Sequence, residues 1–168
     1  ESKYFTKLLS GSQAKNMIRT LFINKQAAEK GAGRPKDQPP VDIKKVGVLG
    51  SGLMGSGITH VTVKGGMDVV VLDRSMEDAN KAVDYSRKII DKAVSRGKMT
   101  KEAGDAFMAR ITPTDKVADL QGCDMIIEAV FENRELKAKV TQEAEAMLAP
   151  GGFFASNTST LPISGLAK

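Results

Sequence analysis

The sequence is poor in the residues from which metal centres and disulfide frameworks are built. It holds one cysteine, Cys123, and one histidine, His60, among 168 residues, and it has no tryptophan. A single cysteine excludes a disulfide within the chain and is compatible with a reducing compartment. One histidine and one cysteine give no metal-ligand spacing, so no metal site is expected. His60 falls on a predicted helix lying against a sheet, which favours a packed side chain over a catalytic one.

Long apolar runs are also missing. No stretch approaches the ~18 apolar residues of a membrane-spanning helix, so no transmembrane segment is expected. The chain is basic, with a formal net charge of +5 and a pI of about 9.3. That charge indicates either a solvated basic surface or an anionic partner such as a phosphorylated cofactor. Nucleic acid is not an expected partner, because aromatic–basic interleaving and zinc-ligand patterns are absent.

The N-terminal segment carries apolar side chains at helical spacing, with positive charges on the remaining face. This pattern predicts an amphipathic helix over 1–24, bent near Gly11. Such a helix packs on its own domain, docks on another domain or forms a homodimer, and the pattern leaves these alternatives open. Glycines and prolines follow over 25–43 and predict a linker. Because the chain begins with Glu1 rather than Met, we expect it to be part of a longer protein. The apolar residues are Phe5, Leu8, Leu9, Met17, Ile18, Leu21 and Phe22.

From residue 44 onward, short apolar strands alternate with helices. The strands are expected in "KVGVLG", "MDVVVLD", "RITPT", "CDMIIEAV" and "FFAS". Apolar strands separated by helices predict a parallel sheet covered on both faces, and hence a doubly wound α/β fold of the Rossmann type. Two helices, over 75–96 and 100–108, are predicted between the second and third strands. They form a helical-hairpin insertion that a minimal nucleotide-binding fold does not need.

A glycine-rich loop joins the first predicted strand to the helix after it. "VGVLGSGLMGSG" places Gly50, Gly52 and Gly55 in the pattern G-x-G-x-x-G, with Leu53 and Met54 between the last two. In this strand–loop–helix context the pattern predicts a dinucleotide site. The first glycine permits the tight turn, the second lets a pyrophosphate approach the backbone, and the third lets helix and strand pack closely. The helix N-terminus then offers N–H groups and partial positive charge to the phosphates.

Asp73 ends the second predicted strand and completes the pattern. A carboxylate at this point accepts hydrogen bonds from the adenosine ribose hydroxyls of NAD and repels the 2′-phosphate of NADP. The neighbouring Arg74 complicates this interpretation, because an arginine can pair with that phosphate. On balance the sequence predicts NAD as the cofactor.

The glycine loop, Asp73, "IIEAVFENRELK" and "FFASNTST" occur in an order that resembles the 3-hydroxyacyl-CoA dehydrogenases. The chain is most similar to the dehydrogenase part of the alpha subunits of multifunctional fatty-acid β-oxidation complexes. The resemblance implies that 44–168 is an NAD-binding domain. It also implies oxidation of an L-3-hydroxyacyl-CoA to a 3-ketoacyl-CoA in fatty-acid β-oxidation, with hydride passing to NAD⁺.

The same resemblance implies roles for individual residues. Glu132 and Lys137 are expected beside the nicotinamide ribose and ring, and Ala129 is expected to line that half of the site. Asn157 is expected to hold the nicotinamide end, and Ser159 to act as a catalytic residue that hydrogen-bonds the 3-oxygen of the substrate. The alternative for Ser159 and its polar neighbours is a simple turn and helix cap.

Further parts of the enzyme are implied beyond this segment. The histidine general base of the family and its C-terminal helical domain are expected after Lys168, so the segment alone is expected to be inactive. An enoyl-CoA hydratase domain is expected before the N-terminal helix, and an acyl-CoA is the expected substrate. A bacterial cytoplasm is the favoured location, with the mitochondrion as the alternative.

Two competing functions remain open. The NAD(P)-binding domains of β-hydroxyacid dehydrogenases also carry Leu-Met-Gly in the glycine loop, but they lack the helical hairpin and the "SNTS" context. A non-catalytic NAD-binding or assembly module is the second alternative.

Lys88, Lys92 and Arg96 form a basic stripe at i, i+4 and i+8, which indicates either a solvated face or a contact with CoA phosphates.

Overall fold

The computed structural model describes residues 1–37, 39 and 41–166, and it divides into two units, Glu1–Val41 and Asp42 onward. Positions 38, 40, 167 and 168 lie outside the described residues. The first two belong to the predicted linker over 25–43, and the last two belong to the predicted domain over 44–168. The boundaries proposed from the sequence, at 24/25 and 43/44, stay predictions.

The N-terminal unit is helical. An extended Gly11, with φ −69° and ψ 159°, separates the first two helices and confirms the predicted bend. The helical stretch runs to Glu29, into the segment predicted as a linker, because Gln26, two alanines and Glu29 are good helix formers. It stops before Gly31, whose φ of +74° is left-handed. The elements are α1 (Ser2–Ser10), α2 (Ser12–Ile18), a π-helical segment (Arg19–Asn24) and α3 (Lys25–Glu29).

The larger unit is built on a five-stranded parallel sheet in the order β3-β2-β1-β4-β5. The chain starts at the centre, winds outward to β3 and then crosses back to β4 and β5. This topology confirms the predicted doubly wound α/β fold. The strands are β1 (Lys45–Leu49), β2 (Asp68–Leu72), β3 (Ile111–Thr114), β4 (Cys123–Glu128) and β5 (Leu148–Ser156).

Helices connect these strands, and three of them begin at the expected kind of cap. The side chains of Ser75, Thr100 and Asn133 each accept a backbone N–H three residues further on, which starts α5, α6 and α7. The α5–α6 pair between β2 and β3 confirms the predicted helical hairpin. The helices are α4 (Leu53–Lys64), α5 (Met76–Ser95), α6 (Lys101–Met108), α7 (Arg134–Glu145) and α8 (Ile163–Leu166), with a 3₁₀ turn at Val117–Leu120.

The start of β5 differs from the sequence prediction. Pro150, Gly151 and Gly152 indicate a turn before the strand predicted in "FFAS", whereas β5 already begins at Leu148 and includes all three residues. β5 is an edge strand, where a proline costs no ladder bond on its free side. The register slips between Cys123 and Met125 of β4, which accommodates the irregular first half of β5.

Two apolar layers cover the sheet. Val46, Val48, Val69 and Val71 pack with residues of α4 and α5 on one face. Leu49, Val70, Leu120, Cys123 and Ile126 form the core of the other face. None of the helices within 1–37, 39 and 41–166 is long and apolar enough to span a membrane.

The two rare residues both serve the packing. His60 lies edge-on to Tyr85, at a centroid distance of 6.3 Å, and 5.0 Å from Phe107. Burial, with a smaller contribution from Lys64, lowers the pKa of His60, so the neutral imidazole is favoured. Burial likewise raises the pKa of the Cys123 thiol. Both side chains are therefore packed groups, as expected for His60.

Candidate functional site

The glycine loop connects β1 to α4, and its three glycines meet different surroundings. Gly50 has a φ of +95°, and a Cβ there would lie 2.8 Å from the backbone O of Ala129. A Cβ on Gly55 would lie 1.8 Å from the backbone O of Gly50. A Cβ on Gly52 would meet no atom within 4 Å. Two glycines are thus required by the protein itself, whereas Gly52 faces open space of the kind that a pyrophosphate would fill.

The N-terminus of α4 points into this open space. Gly52 is the N-cap residue, no side chain caps the helix, and its first turn carries no acidic residue. The first N–H groups of such a helix are available to an acceptor, and the helix dipole favours an anion there. The loop therefore fits the phosphates of a dinucleotide in both shape and charge.

Asp73 follows β2 and is fixed by the loop. Ser51 donates its backbone N–H (2.7 Å) and its hydroxyl (2.5 Å) to Oδ2 of Asp73, while the N–H of Arg74 reaches Oδ1 at 2.8 Å. The Ser51 hydroxyl also lies 2.6 Å from the backbone O of Asp78 in α5. These contacts tie the glycine loop, the end of β2 and the start of α5 into one unit.

Two neighbouring cavities open along the carboxyl edge of the sheet. The larger, of about 780 Å³, is bounded by the glycine loop, Asp73 and the ends of β1 and β4. The smaller, of about 350 Å³, is lined by Met54, Ala129, Val130, Glu132, Asn157 and Ser159. Met54, Ala129 and Val130 line both cavities. The two spaces therefore adjoin, and the first is large enough for a cofactor.

A buried ion pair supports the wall of the smaller cavity. Glu128 and Lys137 are each about 1% exposed in their side chains, and Lys137 Nζ lies 2.7 Å from Glu128 Oε1. Glu128 also accepts the N–H of Val130 (2.7 Å) and the hydroxyl of Ser156 (2.6 Å). A buried charge is tolerated only with such partners. The pair thereby joins the ends of β4 and β5 to α7.

Glu132 extends this network to the cavity surface. Its carboxylate lies 3.2 Å from Lys137 Nζ and accepts hydroxyl hydrogen bonds from Thr158 and, at 2.9 Å, from Thr160. The bond from Thr158 is the largest cause that lowers the pKa of Glu132, and Lys137 adds to it. Glu132 is therefore an ionised acceptor at neutral pH, and it orders the polar loop that follows β5.

The comparison with known families decides the assignment. Residues 45–168 match the family model described as "3-hydroxyacyl-CoA dehydrogenase, NAD binding domain". The chain belongs to this family. NAD is accordingly its cofactor, as the glycine loop and Asp73 predicted.

Relatives and solved structures agree with the family match. The fatty acid oxidation complex subunit alpha of Shewanella frigidimarina is 38% identical over 99% of this chain, which corresponds to 23% of that relative. A crystal structure of 3-hydroxybutyryl-CoA dehydrogenase from Escherichia coli aligns with a TM-score of 0.70 and 31% identity, over 76% of this chain and 27% of that one. The (S)-3-hydroxybutyryl-CoA dehydrogenase of Ralstonia eutropha gives a TM-score of 0.69 and 32% identity, over 75% and 44%. The chain thus spans about a quarter of the curated relative's length.

Most residues that the sequence singled out in this NAD-binding domain lie together in the structure. The larger cavity is lined by Gly50, Gly52, Leu53, Met54, Asp73 and Ala129, and the smaller by Ala129, Glu132, Asn157 and Ser159. Gly55 is buried in the first turn of α4, directly after the loop. Lys137 lies under the wall rather than at its surface, because Glu128, Glu132 and the backbone O of Val130 surround its ammonium group. The roles of these residues toward ligands stay predictions.

The sequence analysis missed four members of the site. Ser51, Glu128, Thr158 and Thr160 make the contacts that position the predicted residues. Glu128 had a usable signal, since it is a carboxylate that directly follows the apolar run 125–127 at the end of β4. Ser51 and the two threonines had none, because their partners lie 22 to 28 positions away along the chain.

The basic stripe lies apart from both cavities. Lys88 and Lys92 are exposed on α5, and Arg96 is exposed at its C-cap. None of the three lines either of the two cavities. Their exposure agrees with a solvated face. A contact with CoA phosphates stays a prediction.

Proposed function

We propose that this chain forms the NAD-binding half of an L-3-hydroxyacyl-CoA dehydrogenase of fatty-acid β-oxidation, which oxidises a 3-hydroxyacyl-CoA to a 3-ketoacyl-CoA. One observation carries the proposal. The cavity bounded by the glycine loop adjoins a smaller cavity lined by Glu132, Asn157 and Ser159, with Met54, Ala129 and Val130 shared between them. A dinucleotide held along the first cavity would have its nicotinamide end near the second, whose lining residues could hold a substrate hydroxyl.

Each group then has a chemical task. The loop and the N-terminus of α4 bind the pyrophosphate, and Asp73 accepts the hydroxyls of the adenosine ribose. Glu132 and Asn157 hold the nicotinamide end, and Ser159 donates a hydrogen bond to the substrate's 3-oxygen. When bound, NAD⁺ would supply the acceptor for the hydride that leaves the carbon bearing this oxygen. The hydroxyl proton must leave to a base at the same time.

No strong base faces the smaller cavity within the described residues. His60, the only histidine of the sequence, packs against Tyr85 and Phe107 in the α4–α5–α6 layer. Glu132 has a lowered pKa, pairs with Lys137 and accepts a hydrogen bond from Thr158, so its carboxylate is a poor proton acceptor. The resemblance to the 3-hydroxyacyl-CoA dehydrogenases implies a histidine as the base, and we propose that this histidine lies in a part of the whole protein outside this segment. This chain corresponds to 23% of one curated relative, which supports further domains in the whole protein. The resemblance implies that these are a hydratase domain and a C-terminal dehydrogenase domain.

The first experiment is a calorimetric titration of this chain with NADH and NADPH. We expect NADH to bind at least about 10-fold more tightly, because Asp73 repels a 2′-phosphate. The same preparation is then assayed for NADH oxidation with acetoacetyl-CoA, and little or no turnover is expected. Equal affinity for both nucleotides contradicts the role of Asp73. Robust turnover contradicts the assignment of the base to another segment.

The N-terminal helices support a further proposal, a homodimer in the isolated chain. Phe5, Leu8 and Leu21 expose 66%, 69% and 54% of their surface, and an apolar patch built from such side chains would favour association. Light scattering is expected to show a dimer that Phe5→Ser/Leu8→Ser converts to monomer. Val41→Ser, an equally exposed position outside these helices, serves as the control. A monomer in the unmodified chain contradicts the proposal.

The relatives from Shewanella and Vibrio support a bacterial source, and we propose the cytoplasm as the location. The same finding weighs against the mitochondrial alternative.

A further inference from the structure

Three charged side chains form a cluster at the adenosine end of the larger cavity. Arg74 Nε lies 2.5 Å from Asp78 Oδ2, and Lys81 Nζ is paired with Asp78 Oδ1. The Asp78 side chain is only 13% exposed, whereas those of Arg74 and Lys81 are 83% and 59% exposed. All three line the cavity together with Asp73. One carboxylate thus sits between two cations beside the predicted ribose site.

We propose that Asp78 is a second determinant of the preference for NAD over NADP. Arginines close to the end of β2 are the groups that accept the 2′-phosphate in NADP-binding members of this fold class. Arg74 occupies such a place, and Lys81 adds a second cation. Asp78 engages both, so neither is free to neutralise a 2′-phosphate. The selectivity of the site therefore rests on two carboxylates: Asp73 repels the phosphate, and Asp78 occupies the cations that would attract it.

The structure holds Asp78 firmly in this position. Its backbone N–H is capped by the hydroxyl of Ser75 (3.1 Å), and its backbone O lies 2.6 Å from the hydroxyl of Ser51. Ser51 also contacts Asp73, so the two carboxylates are linked through one side chain. Hydrogen bonds from Arg74 and then Lys81 hold the pKa of Asp78 well below its usual range. The carboxylate is thus charged at every pH at which a cofactor would be tested.

The separate roles of Asp73 and Asp78 can be distinguished by removing their charges one at a time. Removing the charge of Asp73 alone ends the repulsion but leaves Arg74 and Lys81 engaged by Asp78. Removing the charge of Asp78 alone frees the cations but leaves the repulsion. NADPH should bind best when both charges are removed.

The test compares Asp78→Asn, Asp73→Ser, the double variant and a control by fluorescence titration with NADH and NADPH at fixed low salt. Asparagine keeps the size of the side chain and the backbone contacts of residue 78. We expect Asp78→Asn to raise the affinity ratio of NADPH to NADH by about fivefold, the effect of partly exposed charge pairs. The double variant should exceed Asp73→Ser by at least the same factor.

The control is Asp91→Asn, which makes the same charge change about 20 Å further along α5. It is exposed and lines neither cavity, so its ratio should equal that of the unmodified chain. Circular dichroism of each variant checks the fold. Titration with ADP-ribose and its 2′-phosphate repeats the comparison without the nicotinamide end, and the fivefold change should persist.

The proposal rests on the NAD site, and the outcomes separate the two. If the unmodified chain binds NADH but Asp78→Asn leaves the ratio unchanged in both backgrounds, the role of Asp78 is overturned and the NAD site stands. An equal change produced by Asp91→Asn also overturns it, because net charge alone then explains the effect. If the unmodified chain binds no NADH, the dinucleotide site itself fails.

Discussion

Replacing Lys137 by methionine is expected to lower the free energy of unfolding by about 3–5 kcal/mol. Methionine fills nearly the same space but brings no charge. Glu128, which is 0% exposed, would then keep its carboxylate without the ammonium group that lies 2.7 Å away. Hydrogen bonds from Val130 and Ser156 would remain, but they do not neutralise a charge that is cut off from water. Urea denaturation followed by circular dichroism measures the loss.

Two variants test whether the buried charge is the cause. Lys139→Met changes an exposed lysine of the same helix and should cost less than about 0.5 kcal/mol. The double variant Lys137→Met/Glu128→Gln removes both charges and should recover most of the stability that the single variant loses. If the double variant is as unstable as Lys137→Met, the loss comes from packing and not from an unpaired carboxylate.

The same pair has a consequence for the ligand site. Lys137 contacts Glu132, and Glu132 holds Thr158 and Thr160 in the loop that carries Ser159. The double variant can therefore recover stability while losing order at the smaller cavity. We expect its NADH affinity to stay below that of the unmodified chain even where its stability returns. This outcome would mark Lys137 as a residue that positions Glu132, in place of a direct contact with the nicotinamide ribose.

The fold was predictable because its signals are local. Apolar strands, helices with Ser75 and Thr100 at their caps, and the spacing of Gly50, Gly52 and Gly55 all lie within short windows of sequence. Each window allows few local structures, and their order along the chain allows only a few sheet topologies. The start of β5 was missed because Pro150 and two glycines indicate a turn, whereas edge position and a register slip let them lie in a strand.

The candidate site was only half predictable. Most residues that line the two cavities and were named from the sequence belong to motifs, whereas several residues that hold them in place belong to none. Ser51 acts on Asp73, and Ser156 acts on Glu128, across strands that only the folded sheet brings together. Sequence spacing indicates that the carboxyl ends of β1, β2, β4 and β5 share one edge, but it does not indicate which hydroxyl meets which carboxylate.

Gly55→Ala is expected to abolish measurable NADH binding and to lower the free energy of unfolding by about 3 kcal/mol. The added Cβ would lie 1.8 Å from the backbone O of Gly50, far inside contact distance. That carbonyl is backbone in the tight turn after β1, and Gly50 itself has a φ of +95°. To relieve this clash, the start of α4 must move away from β1, and this movement displaces the N–H groups that are expected to face the phosphates. Calorimetry with NADH and thermal unfolding measure the two effects.

Two further glycines separate the effect on the fold from the effect on the ligand. A Cβ on Gly52 meets no protein atom within 4 Å, so Gly52→Ala should fold with unchanged stability. It should nevertheless bind NADH at least about 10-fold more weakly, because the added methyl group occupies the space through which the pyrophosphate approaches the backbone. Gly57→Ala also meets no atom within 4 Å, lies later in α4 and should raise stability by about 0.5–1 kcal/mol with NADH affinity unchanged. If Gly52→Ala binds NADH normally, the dinucleotide does not cross this loop. If Gly55→Ala folds and binds like the unmodified chain, the close contact between helix and strand is not what shapes the site.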